Sequence, residues 1–408
     1  MNRFVMFAIA AITWVPFVHA APISILFVGN SYTFGRLNPV MSYNAANVHD
    51  LTLGFWQANM AGTNAWEPHP WGGVPGIFKE MTDEANLNYD VSISARNAAT
   101  LRGQFLDTAN STWRLRENVA TQRWDDVVLQ EQSDAALPAG RGANANLATF
   151  NAYADQFERF IHNGAAQSYT ETQLFGSLAN CMATGLSAGS CNTVRNIAAN
   201  PNASAATRVF LTETWARPDM VFPHLNTVAD PNTPDGAPIV DTSGNPNGTA
   251  ATLYYSTLAG MTADLHTDFY NKAATNPNFA GVIPVGDAFQ LAVNENLVQT
   301  GGFYNASGTY TPQQPMDLWW EDYLHASRYG SYLDALVQFG IITGLDPQIL
   351  GTNEIAAHDL GISSADARTL QHIAAAELGF QVVPEPASLA LVLSGIGLLG
   401  LRIRRRHR

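Results

Sequence analysis

Ser31 stands where a side chain could carry out covalent chemistry. It follows the apolar run at 25–28 and a glycine, in the stretch ILFVGNSYTFG. Serine hydrolysis needs a serine nucleophile, an imidazole within hydrogen-bond reach and a carboxylate that holds the imidazole tautomer. Asp322 and His325 could supply the other two groups, since they lie three residues apart in the stretch EDYLHASRYG. An aspartate at this spacing can bond one ring nitrogen and leave the other free to face a serine.

Each of these residues also has a purely structural interpretation. Ser31 occupies a position where serine often caps the helix that follows. Asp322 and His325 could be a pair that holds a loop, and Glu321 is a second acid close to the same histidine. The hypothesis of catalysis therefore depends on the ordered set of residues and not on Ser31 alone.

Three short blocks of the chain resemble the SGNH/GDSL hydrolase superfamily. GNS at 29–31 stands where that family has Gly-Asp-Ser, and DYLH at 322–325 matches its Asp-x-x-His block. With LQEQS at 129–133, they are similar to a bacterial subfamily with Gly-Asn-Ser and Leu-Gln-Glu-Gln-Ser blocks. The resemblance covers roughly residues 23–345. It implies a three-layer, flavodoxin-like α/β fold with a mostly parallel five-stranded sheet, and ester hydrolysis through an acyl-enzyme.

Carried onto this sequence, the resemblance assigns a role to each residue. Ser31 is the expected nucleophile, His325 the general base and Asp322 its orienting carboxylate. The backbone amide of Ser31 is one expected oxyanion donor. The family takes a second donor from a glycine amide after the second strand, but this chain reads ARNAATL there, so Ala98 is expected to supply it. Asn97 and Ala99 are the alternatives if the register differs.

The third oxyanion donor of the family is an asparagine side chain, and this chain lacks its Gly-x-Asn-Asp block after the third strand. Gln132 would have to donate its amide instead, with Gln130 as the second choice. Both could equally satisfy backbone groups at a strand end. One oxyanion donor contributes about 3–4 kcal/mol in measured enzymes, so this departure is the main argument against full activity.

The elements needed to position these residues follow from the apolar pattern. Short apolar runs alternate with helix-length segments, which is typical of a parallel sheet covered on both faces. Ligands bind beyond the carboxyl ends of such strands, where Ser31 and Gln132 lie. The predicted strands are 23–28, 91–94, 126–129, 208–211 and 282–285, and the predicted helices are 144–163, 251–274, 286–298 and 326–343.

The chain divides into four predicted parts. Residues 1–20 are expected to be a signal peptide, and 21–346 an SGNH hydrolase domain with surface insertions at 164–207 and 224–250. Residues 347–381 are expected to be a helical appendage and linker. Cys181 and Cys191, the two cysteines of the chain, are expected to form a disulfide, as in exported proteins.

Residues 382–408 resemble the PEP-CTERM sorting tail of Gram-negative bacteria. Pro384-Glu385-Pro386 precedes an apolar run at 387–401 and a basic cluster that ends at Arg408. The resemblance implies export, processing by an exosortase after signal peptidase, and transient membrane association through the apolar helix. A plain membrane anchor is the alternative. The expected location is the periplasm, the outer surface or the extracellular matrix.

Other chemistries are disfavoured. The net charge is −13 with 21 basic residues in 408, so no nucleic-acid partner is expected. GLSAG at 185–189 fits Gly-x-Ser-x-Gly but lies in a small-residue loop between the cysteines, without the strand that this motif needs before it. The histidines at 49, 69, 162, 224 and 266 form no HExxH pattern. No metal or cofactor is expected, and a metal role for Asp50, Glu67 and His69 is only weakly indicated.

These observations together predict an exported serine esterase. The preferred substrate is an acyl ester, acetyl above all, on extracellular polysaccharide, since the tail is associated with bacteria that make such polymers. Trp66 and Trp71 in the stretch WEPHPWGG are expected to shape a cleft or stack on a sugar ring. A non-catalytic carbohydrate-binding or matrix protein and a lipid acylhydrolase are the two alternatives.

Overall fold

The computed structural model describes residues 21–60, 67–106, 113–227, 246–309, 311 and 316–380. The expected signal peptide, the sorting tail and Trp66 lie outside these residues. Within them, no helix combines the length and apolar character needed to cross a membrane.

The centre of the protein is a sheet of six parallel strands, in the order β10-β7-β4-β1-β3-β2. Two antiparallel pairs, β5 with β6 and β8 with β9, lie outside it. In chain order the strands are β1 (Ile23–Gly29), β2 (His49–Asp50), β3 (Tyr89–Ala95), β4 (Asp126–Gln130), β5 (Gln167–Thr170), β6 (Val194–Ile197), β7 (Arg208–Thr212), β8 (Leu225–Thr227), β9 (Pro246–Ala250) and β10 (Phe279–Ile283).

The helices of the described residues cover the sheet and join its strands. They are α1 (Ser31–Phe34), α2 (Leu53–Ala58), α3 (Gly73–Glu84), α4 (Leu101–Leu106), α5 (Leu115–Val119), α6 (Leu147–His162), α7 (Glu171–Leu174), α8 (Leu178–Ala183), α9 (Ala188–Asn192), α10 (Leu258–Thr275), α11 (Val285–Asn294), α12 (Arg328–Thr343), α13 (Ile355–Asp359) and α14 (Ser364–Glu377). Short 3₁₀ turns lie at Ala45–Asn47, Pro218–Met220 and Pro347–Leu350.

The predicted α/β class is confirmed, with one strand more than the apolar pattern indicated. β2 has two residues and pairs with β3 at the edge of the sheet, so it has no apolar run by which it could be recognised. The other five strands have the order β3-β1-β4-β7-β10, which is the flavodoxin-like order 2-1-3-4-5. β1 is buried from Ile25 to Gly29, because it lies at the centre of a sheet that helices cover on both faces.

The sheet topology decides where the helices lie. The chain moves from β1 to β3 on one side and then to β4 on the other. Since parallel crossovers are right-handed, α3 covers one face and α4 and α5 cover the opposite face. α3 packs against α12 and α13, and α14 packs against α11 and α12. The segment predicted as a helical appendage is thus helical and rests on the helices of the main sheet.

The two predicted insertions contain the small antiparallel pairs. Residues 164–207 hold β5 and β6 with the short helices α7, α8 and α9 between them. Cys181 and Cys191 form the expected disulfide, which joins α8 to α9. Residues 224–250 hold β8 and β9, and 228–245 lie outside the described residues.

Candidate active site

The order of the central strands changes direction between β1 and β4, and this is where an open α/β sheet forms its ligand crevice. The chain leaves β1 through Asn30 into Ser31, the first residue of α1. It leaves β4 through Glu131 and Gln132. The carboxyl ends of adjacent parallel strands therefore bring the GNS block at 29–31 and the LQEQS block at 129–133 together, as the pattern predicted.

The turn after β1 has room only for glycine at its first position. A Cβ atom on Gly29 would lie 2.0 Å from Thr33 Oγ1 and 2.8 Å from Gln130 Oε1. Asn30 caps α1, because its Oδ1 accepts the backbone N–H of Tyr32 at 3.1 Å. The capping interpretation of Ser31 is therefore wrong, because the neighbouring asparagine caps the helix. The hydroxyl of Ser31 is left for another partner.

Asn30 also holds the ends of three strands in register. Its Nδ2 donates to the carbonyl of Ala99, beyond β3, at 3.0 Å and to that of Glu131, beyond β4, at 3.4 Å. Its backbone N–H donates to Gln130 Oε1 at 3.2 Å. An aspartate could not donate to the two carbonyls, so the Gly-Asn-Ser sequence and this arrangement depend on each other.

Replacing Asn30 by aspartate is expected to lower the free energy of unfolding by about 2–3 kcal/mol at pH 7, because a buried carboxylate would face two carbonyl oxygens. Urea unfolding of both proteins measures this difference. At pH 4 the loss should shrink, since a protonated carboxyl can donate one O–H. The matched control is Asn47→Asp on the exposed surface, expected to change stability by no more than about 0.5 kcal/mol. An equal effect of both substitutions would contradict this account of Asn30.

Ser31, His325 and Asp322 form a continuous hydrogen-bonded chain. Ser31 Oγ lies 2.8 Å from His325 Nε2, and His325 Nδ1 lies 2.5 Å from Asp322 Oδ2. Because an ionised carboxylate only accepts, the Nδ1 proton must point to Asp322. The Nε2 lone pair then faces the serine hydroxyl. Residues 294 apart in sequence thus meet in the geometry of a nucleophile, a base and an orienting acid.

Asp322 is held in place by its own loop. Its Oδ1 accepts the backbone N–H groups of Leu324 at 3.0 Å and His325 at 2.9 Å. Burial alone would raise the pKa of Asp322, but His325 and these hydrogen bonds outweigh it and lower the pKa below its usual value. The carboxylate is therefore ionised at neutral pH and can orient the imidazole.

Two aromatic residues that the sequence pattern did not single out brace the histidine loop. Tyr32 and Trp215 stack with ring centroids 3.9 Å apart, and Tyr32 meets the His325 ring edge-on at 5.7 Å. The Tyr32 hydroxyl and the Trp215 indole N–H both donate to the carbonyl of Leu324, at 2.9 and 3.1 Å. The available signal was position: Tyr32 follows Ser31, and Trp215 comes soon after β7.

Ala98 is the residue with a left-handed backbone among the three considered after β3, with φ of +54°. Alanine in this region costs roughly 1–2 kcal/mol, which explains why a glycine is common at such a position. Ala98 is exposed, whereas the next residue, Ala99, is buried and bonded to Asn30. The register alternative Ala99 is already occupied, because its backbone N–H donates to the carbonyl of Arg96 at 3.1 Å, whereas the Ala98 turn faces solvent.

The two glutamines after β4 lie in different surroundings. Gln130 is 4% exposed, and its Oε1 accepts from Asn30 and from Thr33 Oγ1 at 3.0 Å, beneath the turn. Its Nε2 donates to the carbonyl of Glu131. Gln132 donates from Nε2 to Ser133 Oγ at 2.9 Å, which leaves its second N–H for another acceptor. The structure therefore places Gln130 in the support of the turn and leaves Gln132 as the glutamine with a donor to offer.

Glu131 organises the loops around these donors. It is 1% exposed, and its Oε1 accepts the backbone N–H groups of Leu101 at 3.0 Å and Gln132 at 2.7 Å. Burial raises the pKa of Glu131 to about 7, although both hydrogen bonds oppose the change. This side chain ties the start of α4 to the loop after β4, and so fixes the distance between the ARNAATL segment after β3 and the LQEQS block after β4.

An arginine connects the loop after β4 to the segment after β7. Arg217 donates to Ser133 Oγ at 2.9 Å and Asp134 Oδ1 at 3.2 Å, and it binds Asp219 through two nitrogens at 3.0 and 2.6 Å. The pKa of Asp134 lies below its usual value, because Arg217 and the hydrogen bonds outweigh burial. The carboxylates of Asp134 and Asp219 neutralise the guanidinium charge. Arg217 therefore serves to position Ser133, which is the hydrogen-bond partner of Gln132.

Three other stretches named from the sequence lie outside the Ser31 site. Trp71 is fully buried and stacks on Phe34 at 3.9 Å, so the expectation that it shapes an open cleft is wrong. His69 bonds Asp50 at 2.5 Å beneath the same aromatic cluster. Ser187 of the GLSAG stretch caps α9 by accepting from Ser190 N at 3.1 Å, and a helix precedes it instead of a strand. That stretch was expected to be unrelated to catalysis, and it lacks the context its motif requires.

Comparison with known proteins adds a finding at the carboxyl end of the chain. Residues 382–406 match the PEP-CTERM protein-sorting motif. The motif implies export from a Gram-negative cell and processing by an exosortase. These residues lie beyond the described ones. No curated protein matches the chain in sequence.

Solved structures with a similar chain path come from several bacteria. One is a candidate SGNH hydrolase from Slackia heliotrinireducens, with 15% identity, a TM-score of 0.34 and coverage of 79% of this chain and 100% of that one. A DUF4886 family protein from Bacteroides uniformis has 11% identity, a TM-score of 0.39 and coverage of 90% and 99%. Phospholipase A1 from Streptomyces albidoflavus has 11% identity, a TM-score of 0.27 and coverage of 72% and 93%.

Proposed function

We propose that this protein is an exported serine esterase that hydrolyses carboxylic esters through an acyl-enzyme. The observation that carries the proposal is the chain from Ser31 Oγ through His325 to Asp322, with contacts of 2.8 and 2.5 Å. These three hydrogen-bonded residues lie at the crevice where the strand order reverses. An arrangement that only held a loop would need the His325–Asp322 pair but no hydroxyl on the other ring nitrogen.

The proposed reaction has two halves. Ser31 Oγ attacks the ester carbonyl carbon while His325 Nε2 takes its proton, and the imidazolium is stabilised by Asp322. The bond to the alcohol then breaks, and the alcohol oxygen receives the proton from His325. A water molecule repeats the sequence on the acyl-enzyme: His325 takes one proton, the acid leaves, and the proton returns to Ser31.

The oxyanion is proposed to be held by backbone amides of Ser31 and Ala98 and by the side chain of Gln132. Ser31 N begins α1 and has no partner among the described residues, which is the usual state of the first amides of a helix. The left-handed turn at Ala98 supports its assignment over the neighbouring residues. The free N–H of Gln132 supports its use in place of the asparagine of the family.

A short acyl group on an extracellular polysaccharide is the proposed substrate. Ser31 is 5% and His325 is 7% exposed, and this low exposure favours a small acyl group such as acetyl over a long chain. The sorting motif implies export, and such polymers lie outside the cytoplasm. The buried Trp71 no longer supports stacking on a sugar ring.

A fluorophosphonate probe tests the proposal directly, because it reacts with an activated serine and leaves ordinary hydroxyls unmodified. The expected result is one label per chain on the peptide that contains Ser31, with loss of p-nitrophenyl acetate hydrolysis. Rates for acetyl, butyryl and decanoyl esters should fall with chain length. A lipid acylhydrolase would show the opposite order, and a non-catalytic carbohydrate-binding protein would take up no label.

A further inference from the structure

A second group of side chains meets at the carboxyl ends of the outer strands β7 and β10. Glu213 directly follows β7, His266 lies in α10, and Asp287 lies in the first turn of α11. One nitrogen or oxygen atom from each lies within 4.8 Å of the other two. β4 separates β7 from β1, so this cluster is distinct from the Ser31 site.

Glu213 is the unusual member of the cluster. It is fully buried, and neither of its carboxylate oxygens accepts a hydrogen bond of good geometry among the described residues, although the backbone and carboxyl group of Asp287 lie beside it. Its backbone is fixed, because its N–H donates to the carbonyl of Ile283 at 3.0 Å. A buried carboxylate without a donor is strongly unfavourable unless a cation or a proton neutralises it. The side chain of Glu213 therefore indicates that a ligand binds here and supplies the partner that its carboxylate lacks.

The residues around Glu213 leave room for a second carboxylate close to it. A Cβ atom on Gly286 would lie 2.3 Å from the Thr214 carbonyl and 3.0 Å from Glu213 Oε1, so the start of α11 can approach Glu213 only with glycine there. This close approach brings the second carboxylate, Asp287, beside Glu213. Two carboxylates in one place repel each other, which again favours a cation between them.

The third member is accessible and oriented. His266 Nδ1 lies 2.7 Å from Asp287 Oδ2, and the His266 ring stacks on Tyr270 at 4.1 Å. The side chains of His266 and Asp287 are 47% and 18% exposed, so an ion can enter from solvent. The Glu377 carboxyl group of α14 lies close enough to interact electrostatically with both of them.

We propose that Glu213, His266 and Asp287 bind one divalent transition-metal cation, with Zn²⁺ as the fitting chemistry. One imidazole nitrogen with two carboxylate oxygens suits zinc, whereas calcium and magnesium prefer oxygen ligands alone. The ion would fasten α10 and α11 to the end of β7. The site requires nothing from the esterase proposal.

Zinc titration of the full chain, first freed of metal with a chelator, tests this proposal. A competing chromophoric chelator reports the affinity, and the expected result is one equivalent with a dissociation constant of about 1 μM or lower. His266→Ala, at a half-exposed position, should weaken binding at least about tenfold while the protein stays folded. Glu213→Gln should do the same, and zinc should raise the melting temperature of the unmodified protein but not of these two variants.

The matched control is His358→Ala, since His358 and Asp359 form another exposed pair, at 3.2 Å. It should bind zinc as the unmodified protein does, and so should Ser31→Ala, which separates this proposal from the esterase. Stoichiometric binding that survives both His266→Ala and Glu213→Gln would overturn the site. The absence of zinc binding would also overturn the site, because it would mean that a proton alone neutralises the carboxylates. Equally strong binding of calcium would overturn it as well.

Discussion

Ser31→Ala is expected to lower kcat for p-nitrophenyl acetate by at least about 10³-fold, the loss typical of a missing serine nucleophile. The substitution removes the atom that would form the acyl-enzyme and leaves His325 without the hydroxyl that lies 2.8 Å from its Nε2. Because Asn30, and not Ser31, caps α1, the fold should not change. Steady-state kinetics, with circular dichroism and thermal unfolding as checks on folding, measure the effect.

The control is Ser42→Ala, at an exposed serine outside the crevice, which should retain full activity. Hydrolysis that is the same in the Ser31 variant and the unmodified protein would rule out the nucleophile assignment. In that case the fold would be better explained as a non-catalytic carbohydrate-binding or matrix protein. Fluorophosphonate labelling of the same two variants gives an independent answer, because it does not depend on turnover.

Asp322→Asn is expected to lower kcat by roughly 10³–10⁴-fold with little change in KM, as in triads that lose their carboxylate. The carboxylate accepts from His325 Nδ1 through Oδ2 and from two backbone N–H groups through Oδ1. An asparagine must turn its NH₂ group towards one of these donors. If it faces Nδ1, the imidazole proton moves to Nε2, and the base can no longer accept from Ser31.

Glu321→Gln is the matched control, because Glu321 is the neighbouring acid and was the alternative orienting group. Asp322 makes the contacts to the histidine ring, so the Glu321 variant should keep its activity within about twofold. A large loss in the Glu321 variant with little loss in the Asp322 variant would reverse the assignment. Equal mild losses would mean that the imidazole is oriented by its packing against Tyr32 alone.

Much of the fold and of the candidate site could be predicted because the relevant signals are local. β1, β3, β4, β7 and β10 are apolar runs that end at polar residues, and each appears in the sheet. In a parallel sheet the ends of such runs must meet at one edge, which is why Ser31 and Gln132 were expected together. The DYLH block is equally local, since Asp322 reaches His325 within one turn of its own loop.

Other features depended on contacts between residues far apart in the chain. The local sequence around Trp71 is the same whether the tryptophan is buried or exposed in a cleft. Only its packing on Phe34 decides that it is buried. The two-residue strand β2 has no pattern of its own and forms because β3 offers an edge. Tyr32 and Trp215 support the histidine loop by donating to the backbone carbonyl of Leu324. Since every residue has a backbone carbonyl, no residue type in the sequence marks this contact.

The sequence by itself determined the α/β class, the order of the blocks and the residue types that are proposed for acyl transfer, because strand periodicity and short motifs are encoded in neighbouring residues. Only the tertiary structure decided that Asn30 caps the helix and so frees the Ser31 hydroxyl, because capping depends on where each side chain points. Only the tertiary structure gathered Glu213, His266 and Asp287, which come from three elements and share no spacing. The physical reason is the same in both cases: hydrogen bonding and charge act through space, whereas motifs record only distance along the chain.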